Sequence, residues 1–260
     1  MTAAVLDSWV ITQRALAHWG RQPGRLAFGL AFNVMIMLMF AFLLGGAMKV
    51  PGGGDYREFL MPGVFVMTML FGIGETVTSV TTDADRGVMD RFRSMPMAGS
   101  AMVAGRAMAD MLYSAVGLIV MVVCGLLIGW RWHGGFAAAL GAFGLLLLLR
   151  FALVWIGIYL GLIFRSQQAL MAVQTLEFPL GFLSSAFVAP ATMPAWLAAV
   201  AEWNPLSSTA TAARTLFGNP GAATDSWITS YAVPMAISWP VVLVAIFFPL
   251  SVLAYRRLSR

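Results

Sequence analysis

An apolar run of eighteen or more residues leaves a chain few options: in a bilayer its backbone amides must be satisfied within one helix, since no water is present to do it. This sequence carries several such runs, predicted as helical spans over 26–48, 59–80, 111–130, 136–164, 169–189 and 232–254. Six spans account for most of 260 residues, of which 60% are apolar and only 10% charged, so no separate soluble domain is expected and 1–260 reads as one transmembrane unit. The fold class is therefore all-α and integral to the membrane. Pro179 and Gly181 predict a kink or break in the fifth span, and Pro234, Pro240 and Pro249 an irregular sixth.

The segments between the spans are as informative as the spans. Residues 3–22 place Leu6, Trp9, Val10 and Leu16 on one side and Asp7, Arg14, His18 and Arg21 on the other, the pattern of a helix lying in the membrane surface. Pro23 and Gly24 end it, and the polar lead makes the first span an uncleaved anchor. A small-residue helix over 98–110 is expected before the third span. Between the fifth and sixth spans, 191–221 holds two pieces too short to cross, divided at Asn204-Pro205 and closed by Gly218-Asn219-Pro220-Gly221. With Trp196, Trp203, Trp227 and Tyr231 nearby, the expectation is two short re-entrant helices dipping into the outer interface.

The most polar stretch is TDADRGVMDRFRSMPM, residues 82–97, with Asp83, Asp85 and Asp90 beside Arg86, Arg91 and Arg93. Val88, Met89, Phe92 and Met95 form a stripe on a short helix that Pro96 stops. Two turns are not stable alone, so the stripe must dock on neighbouring helix ends or on a partner. Fifteen of the sixteen basic residues are arginine. With the amino terminus cytoplasmic, eleven basic residues fall inside and only Lys49, Arg57, Arg131 and Arg214 outside. Both termini and the charged stretch are then predicted to be cytoplasmic.

Several chemistries lack their residues. The one lysine, Lys49, lies between Met48 and Val50, so no phosphate-binding Gly-Lys-Ser/Thr loop exists and the chain is not expected to hydrolyse ATP itself. His18 and His133 belong to no HExxH pair, no GxSxG elbow occurs, and with Cys124 as the one cysteine neither an internal disulfide nor a metal site is expected. The basic balance, a net +5, is accounted for by membrane topology and predicts no nucleic-acid partner. Three ionisable residues fall inside spans: Glu75, Arg150 and Glu177. Leu145 to Leu149 offset most of the insertion cost of an arginine, about 2.5–3.5 kcal/mol at a span centre, and a snorkelling guanidinium is expected to pair with Glu177.

The order of a surface helix, two spans, a charged cytoplasmic helix, three spans, a broken outer segment and a last span resembles the permease subunits of ATP-binding-cassette type 2 exporters, in particular the daunorubicin-resistance-like branch. DRGVMDRFRSMPM (85–97) resembles that family's coupling-helix pattern, and MPAWLAAVAEWNPLSSTATAARTLFGN (193–219) its outer-segment pattern of Met-Pro-x-Trp, Asn-Pro and a later Arg. The resemblance implies a coupling helix over 83–97, with Asp85, Arg86, Gly87, Asp90, Arg91, Phe92 and Pro96 against a separate ATPase, and an outer gating segment including Trp196, Asn204, Pro205 and Arg214. It also implies two copies of a nucleotide-binding ATPase that carry ATP and Mg, a second permease copy or a homologous permease, and an amphiphilic drug or lipid-like substrate moved out through the cell membrane. No cofactor belongs to this chain. The rival reading is a stand-alone proton-coupled transporter using Glu75, Arg150 and Glu177; an intramembrane enzyme lacks a nucleophile beside a base.

Overall fold

A computed structural model describes residues 12–13, 23–45, 50, 53–85, 99–164, 166–221 and 226–257, and every extended regular element among them is helical. Most of the surface helix expected over 3–22 lies outside the described residues; Thr12 and Gln13 are helical, and Thr12 Oγ1 donates to the Gly105 carbonyl at 3.1 Å. Helix α1, Pro23–Leu38, runs on as a π-helical turn, Met39–Leu44. Helix α2, Tyr56–Asp85, starts where the Asp55 carboxylate accepts from Arg57 N at 2.9 Å, with Glu58 in the first turn beside the positive end of the helix dipole. At 30 residues it is about 45 Å long and overruns the expected span 59–80 at both ends.

Helix α3, Gly99–Leu127, fuses the predicted small-residue helix and third span into one element, because nothing between Ala109 and Met111 breaks a helix. Helix α4 is Gly135–Ile163, and α5, Gln167–Phe182, opens with the Ser166 hydroxyl accepting from Ala169 N at 3.2 Å. The outer segment contains a 3-10 turn at Pro190–Thr192 and helices α6, Ala195–Trp203, and α7, Pro205–Phe217. A short α8, Trp227–Ser230, precedes α9, Ala232–Arg257, which continues through Pro240 and Pro249 where irregularity was expected.

Among the described residues, four helical stretches are long and apolar enough to cross a membrane: Tyr56–Ala84, Ala104–Leu127, Gly135–Ile163 and Ala232–Arg257. The two remaining expected spans differ from each other. The first is helical from Pro23 to Leu44, with Gly29–Leu43 as its apolar stretch, and 46–48 lie outside the described residues. The fifth, in which Pro179 and Gly181 predict a kink or break, ends at Phe182, three residues after Pro179, leaving α5 with 16 residues or about 24 Å of helix.

Helix α2 is the hub. It packs on α3, α4, α5 and α7, and Leu60, Met61, Phe65, Val66 and Met69 have no exposed surface. Its half from Phe59 to Ile73 is apolar on nearly every face, which suits it to the centre of a bundle. Helix α4 lies close against it at Gly157 and Gly161: a Cβ there would come 2.8 Å from Thr76 Cβ and 2.8 Å from Val80 Cβ respectively, so small residues four apart set the helix spacing. Helix α9 packs along α4 and α7, with most of its other surface apolar and outward-facing, including Ile237, Val241, Ile246 and Leu253.

Candidate functional site

The expectation for the outer segment is corrected in one half. Helix α6 carries Trp196 at 71% exposure and Trp203 at 60%, as an interfacial helix should. Helix α7 is not interfacial: Leu206 to Arg214 are buried without interruption between α2, α4 and α9. Its alternating small residues, Ser207, Ser208, Ala210, Ala212 and Ala213, let it sit this deep. Asn204 holds the joint. Its Oδ1 accepts from Leu206 N at 2.9 Å as the N-cap, Pro205 takes the first helical position, and Nδ2 donates to the Leu180 and Leu183 carbonyls at 3.0 and 2.8 Å.

Arg214 has 1% of its surface exposed, yet no carboxylate pairs with it. Its Nε donates to the Phe59 carbonyl at 2.9 Å, and Nη2 to the Ser185 and Ala186 carbonyls at 2.8 and 2.9 Å. The guanidinium also lies 3.9 Å from the Phe59 ring centroid. This arrangement has a physical cause in the end of α5. Past Phe182 the chain is irregular, and irregular backbone inside a membrane protein must find partners within the protein. Arg214 supplies two, at Ser185 and Ala186, and Tyr56 adds a third through its hydroxyl to the Phe187 carbonyl at 3.2 Å. Gly63 allows this stretch to pass, since a Cβ there would collide with the Ala186 carbonyl. Beyond α7, Gly218 caps the helix at φ 71°, and Asn219 accepts from Trp130 Nε1 at 3.0 Å and donates to the Arg131 carbonyl at 2.9 Å.

The three intramembrane charges do not assemble as expected. Arg150, 1% exposed, donates through Nε to Ser114 Oγ at 2.6 Å and through Nη2 to Thr76 Oγ1 at 2.9 Å; no ion pair joins it to Glu177. Glu177, 6% exposed, instead accepts from Gly74 N at 2.5 Å. Each side chain occupies ground that a glycine of α2 vacates: a Cβ at Gly72 would lie 2.5 Å from Arg150 Cζ, and one at Gly74 would lie 3.2 Å from Glu177 Oε1. Two residues of separation on α2 direct the two glycines towards different neighbours, α4 and α5, and that divergence separates the charges.

Asp110 is 5% exposed and pairs with Arg106 at 2.9 Å, which also reaches Asp83 at 3.5 Å. Ser114, one turn on, donates to the Asp110 carbonyl at 2.8 Å and accepts from Arg150. A polar column, partly exposed at Asp83 and Arg106 and buried beyond them, therefore runs Asp83, Arg106, Asp110, Ser114, Arg150, Thr76, from the ends of α2 and α3 next to the charged stretch into the bundle. Sequence reasoning missed Asp110; the signal was its i, i+4 spacing from Arg106 and to Ser114 on one face of α3. Arg106 Nε, Asp110 Oδ2 and Arg150 Nη1 are buried without a hydrogen-bond partner among the described residues. A double-mutant cycle on Arg150→Met and Asp110→Asn is expected to give a larger coupling energy than one on Arg150→Met and Glu177→Gln, read from unfolding midpoints in detergent.

Glu75 behaves differently from both. It is exposed on the surface of the bundle and accepts no hydrogen bond and joins no ion pair among the described residues. The residues expected to form a coupling helix, Arg86, Gly87, Asp90, Arg91, Phe92 and Pro96, lie outside the described residues, and of Asp85 only the backbone, the last residue of α2, is described. Among the described residues no group of three or more His, Cys, Asp or Glu side chains is placed to hold a metal ion.

Long apolar helices about a buried hub, with arginines held inside the bundle, define a multi-pass helical membrane protein. The ABC-2 type transporter family model matches residues 7–217, and the chain belongs to that family. It is 34% identical over 244 residues, 94% of this chain and 83% of the relative, to the daunorubicin resistance ABC transporter permease protein DrrB1 of Streptomyces coeruleorubidus. It is 24% identical over 230 residues, 87% of this chain and 77% of the relative, to the putative transport permease ycf38 of Cyanophora paradoxa. A shorter match, 27% over 110 residues covering 42% of this chain and 38% of the relative, is to the doxorubicin resistance ABC transporter permease protein DrrB of Mycobacterium tuberculosis. Membership makes it a permease-type subunit of the cell's ABC machinery, a family that works with an ABC ATPase.

Proposed function

We propose that the chain is the membrane subunit of an ABC exporter that moves an amphiphilic drug or lipid-like substrate outward, driven by ATP hydrolysed on two copies of a separate ATPase, with both termini cytoplasmic. The observation that carries this reading is the family match over most of the chain together with the 34% identity to a drug-resistance permease. The geometry supports it: α2 and α3, the helices on either side of the charged stretch, are long, continuous and tied at their inner ends through Arg106 to Asp83 and Asp110. A force applied between residues 85 and 99 would move both helices as one lever. In this reading Asp85, Arg86, Gly87, Asp90, Arg91, Phe92 and Pro96 form the docking knob, and a second permease copy, identical or homologous, completes the path.

The outer gate in this reading is the joint at Asn204-Pro205 and the Arg214 clamp, with Trp196 holding α6 in the headgroup layer. Opening outward requires α7 to shift against the 183–189 stretch, the contact that Arg214 bridges.

The test is co-purification of the permease with its ATPase and ATP-driven uptake of a fluorescent amphiphile into inverted vesicles. Asp90→Ala combined with Arg91→Ala should leave the permease in the membrane and cut ATPase recovery by about tenfold or more. Unchanged recovery would remove the docking assignment. Uptake driven by a proton gradient with no ATPase present would instead establish the rival transporter built on Glu75, Arg150 and Glu177.

A further inference from the structure

An ionisable side chain within a membrane span belongs inside the bundle or against a water-filled path, because facing hydrocarbon is too costly. Glu75 is inside the span Tyr56–Ala84, yet it is exposed on the bundle surface and, among the described residues, is the one carboxylate of the three intramembrane charges without a hydrogen bond. Its Oε1 reaches α1 beside Gly29, where a Cβ would stand 3.7 Å from it and 3.4 Å from the Tyr113 hydroxyl. One turn away on the same face of α2 is Phe71, whose ring meets Phe178 of α5 at 5.0 Å; Phe32 of α1 lies 5.8 Å from Phe178 and 6.2 Å from Phe71. Three helices therefore bring three mutually packed rings together one helical turn from a carboxylate with no ion pair among the described residues, and Phe32 is 39% exposed.

The rest of that face is polar. Gln174, exposed, donates to Thr78 Oγ1 at 3.3 Å, and Thr175 beside it is also exposed. Residues 29–44, 58–85 and 167–182 contain no lysine or arginine, and the basic residue closest along α1 is Arg25, four residues before Gly29. Arg150 lies against Gly72 and donates to Thr76 Oγ1, with no ion pair to Glu75 among the described residues.

We propose that Glu75 is a specificity-determining residue of the transport path, and that with Phe32, Phe71 and Phe178 it selects amphiphilic aromatic cations over neutral or anionic amphiphiles. The carboxylate supplies the counter-charge and the rings supply apolar area and cation–π attraction at one end of the same site. This rests on the exporter reading only in calling the face a path; the site stands on its own geometry.

Direct binding tests it, with the full-length permease purified in detergent and no ATPase. Tetraphenylphosphonium and tetraphenylborate, matched in shape and opposite in charge, are measured separately by equilibrium dialysis. Saturable binding is expected for the cation only. Glu75→Gln should weaken it by about tenfold or more and Phe71→Ala by several-fold, while Glu75→Asp stays within about threefold. As Glu75 makes no structural bond, the Gln variant should keep the wild-type unfolding midpoint. In a Cys124→Ser background, Glu75→Cys in the permease–ATPase complex should react with a maleimide and be protected by the cation. Absent or charge-blind binding in the wild type, unchanged binding in Glu75→Gln, or a cysteine at position 75 shielded by a second permease copy would each overturn the assignment. ATP-driven export of charge-blind substrates would leave the exporter reading intact and reject only this site, whereas cation binding without any ATP-driven transport would do the reverse.

Discussion

Arg214→Ala is expected to lower the midpoint of thermal unfolding in detergent by about 10 °C, corresponding to about 3–5 kcal/mol. The substitution removes the donors to three buried carbonyls, those of Phe59, Ser185 and Ala186, at once. It also removes a cation stacked on the Phe59 ring. Leaving a buried acceptor unmet costs more than the bond contributed, and the site is closed off by α2, α7 and the 183–189 stretch. Arg214→Lys should recover only part of the loss, because a single ammonium cannot reach carbonyls on two elements and stack flat on a ring. Tryptophan fluorescence or scattering during a temperature ramp reads the effect directly. If Lys restores the full midpoint, the fork geometry is not what holds the outer segment.

Asp110→Asn should destabilise by about 3 kcal/mol although it preserves shape and hydrogen-bonding capacity. The carboxylate is the buried counter-charge of Arg106, which it pairs at 2.9 Å, and the Asp110 carbonyl accepts from Ser114, the hydroxyl to which Arg150 donates. Neutralising it leaves Arg106 with Asp83 alone, at 3.5 Å, and removes the buried carboxylate one turn from the Arg150 site. Arg150→Met in the Asp110→Asn background should therefore restore stability towards wild type, since it removes the uncompensated charge and fills similar volume. Unfolding midpoints of the four proteins decide it. A double variant worse than Asp110→Asn alone would mean that Arg150 is held by its hydroxyl partners, Thr76 and Ser114, and not by Asp110.

The contrast between these residues and those named from sequence shows where reading a chain in one dimension stops. The pairing expected between Arg150 and Glu177 came from depth and reach alone. Depth along a helix follows from residue count, but azimuth depends on how two helices roll against a third. Here Gly72 and Gly74 of α2 send the two side chains to opposite neighbours, so charges at compatible depth do not meet. Arg214 was named for its place in the outer segment, yet its partners lie far along the chain at Phe59 and Ser185. Those partners are backbone carbonyls, which every residue has and no sequence pattern advertises.

Composition and hydropathy were enough to establish a helical membrane protein, the outer pair of short helices and the Asn204-Pro205 joint between them, because apolar run length and cap chemistry act within a few residues. Length also decided which segments were spans, but only where the helix was left whole: α5 stops at Phe182, and α3 absorbs the helix expected before it. Which polar groups satisfy one another, and which carboxylate is left facing outward, were settled by packing. Desolvation penalises an unmet polar group wherever it lies in the chain, so its partner is chosen by proximity in space among all the helices that close around it.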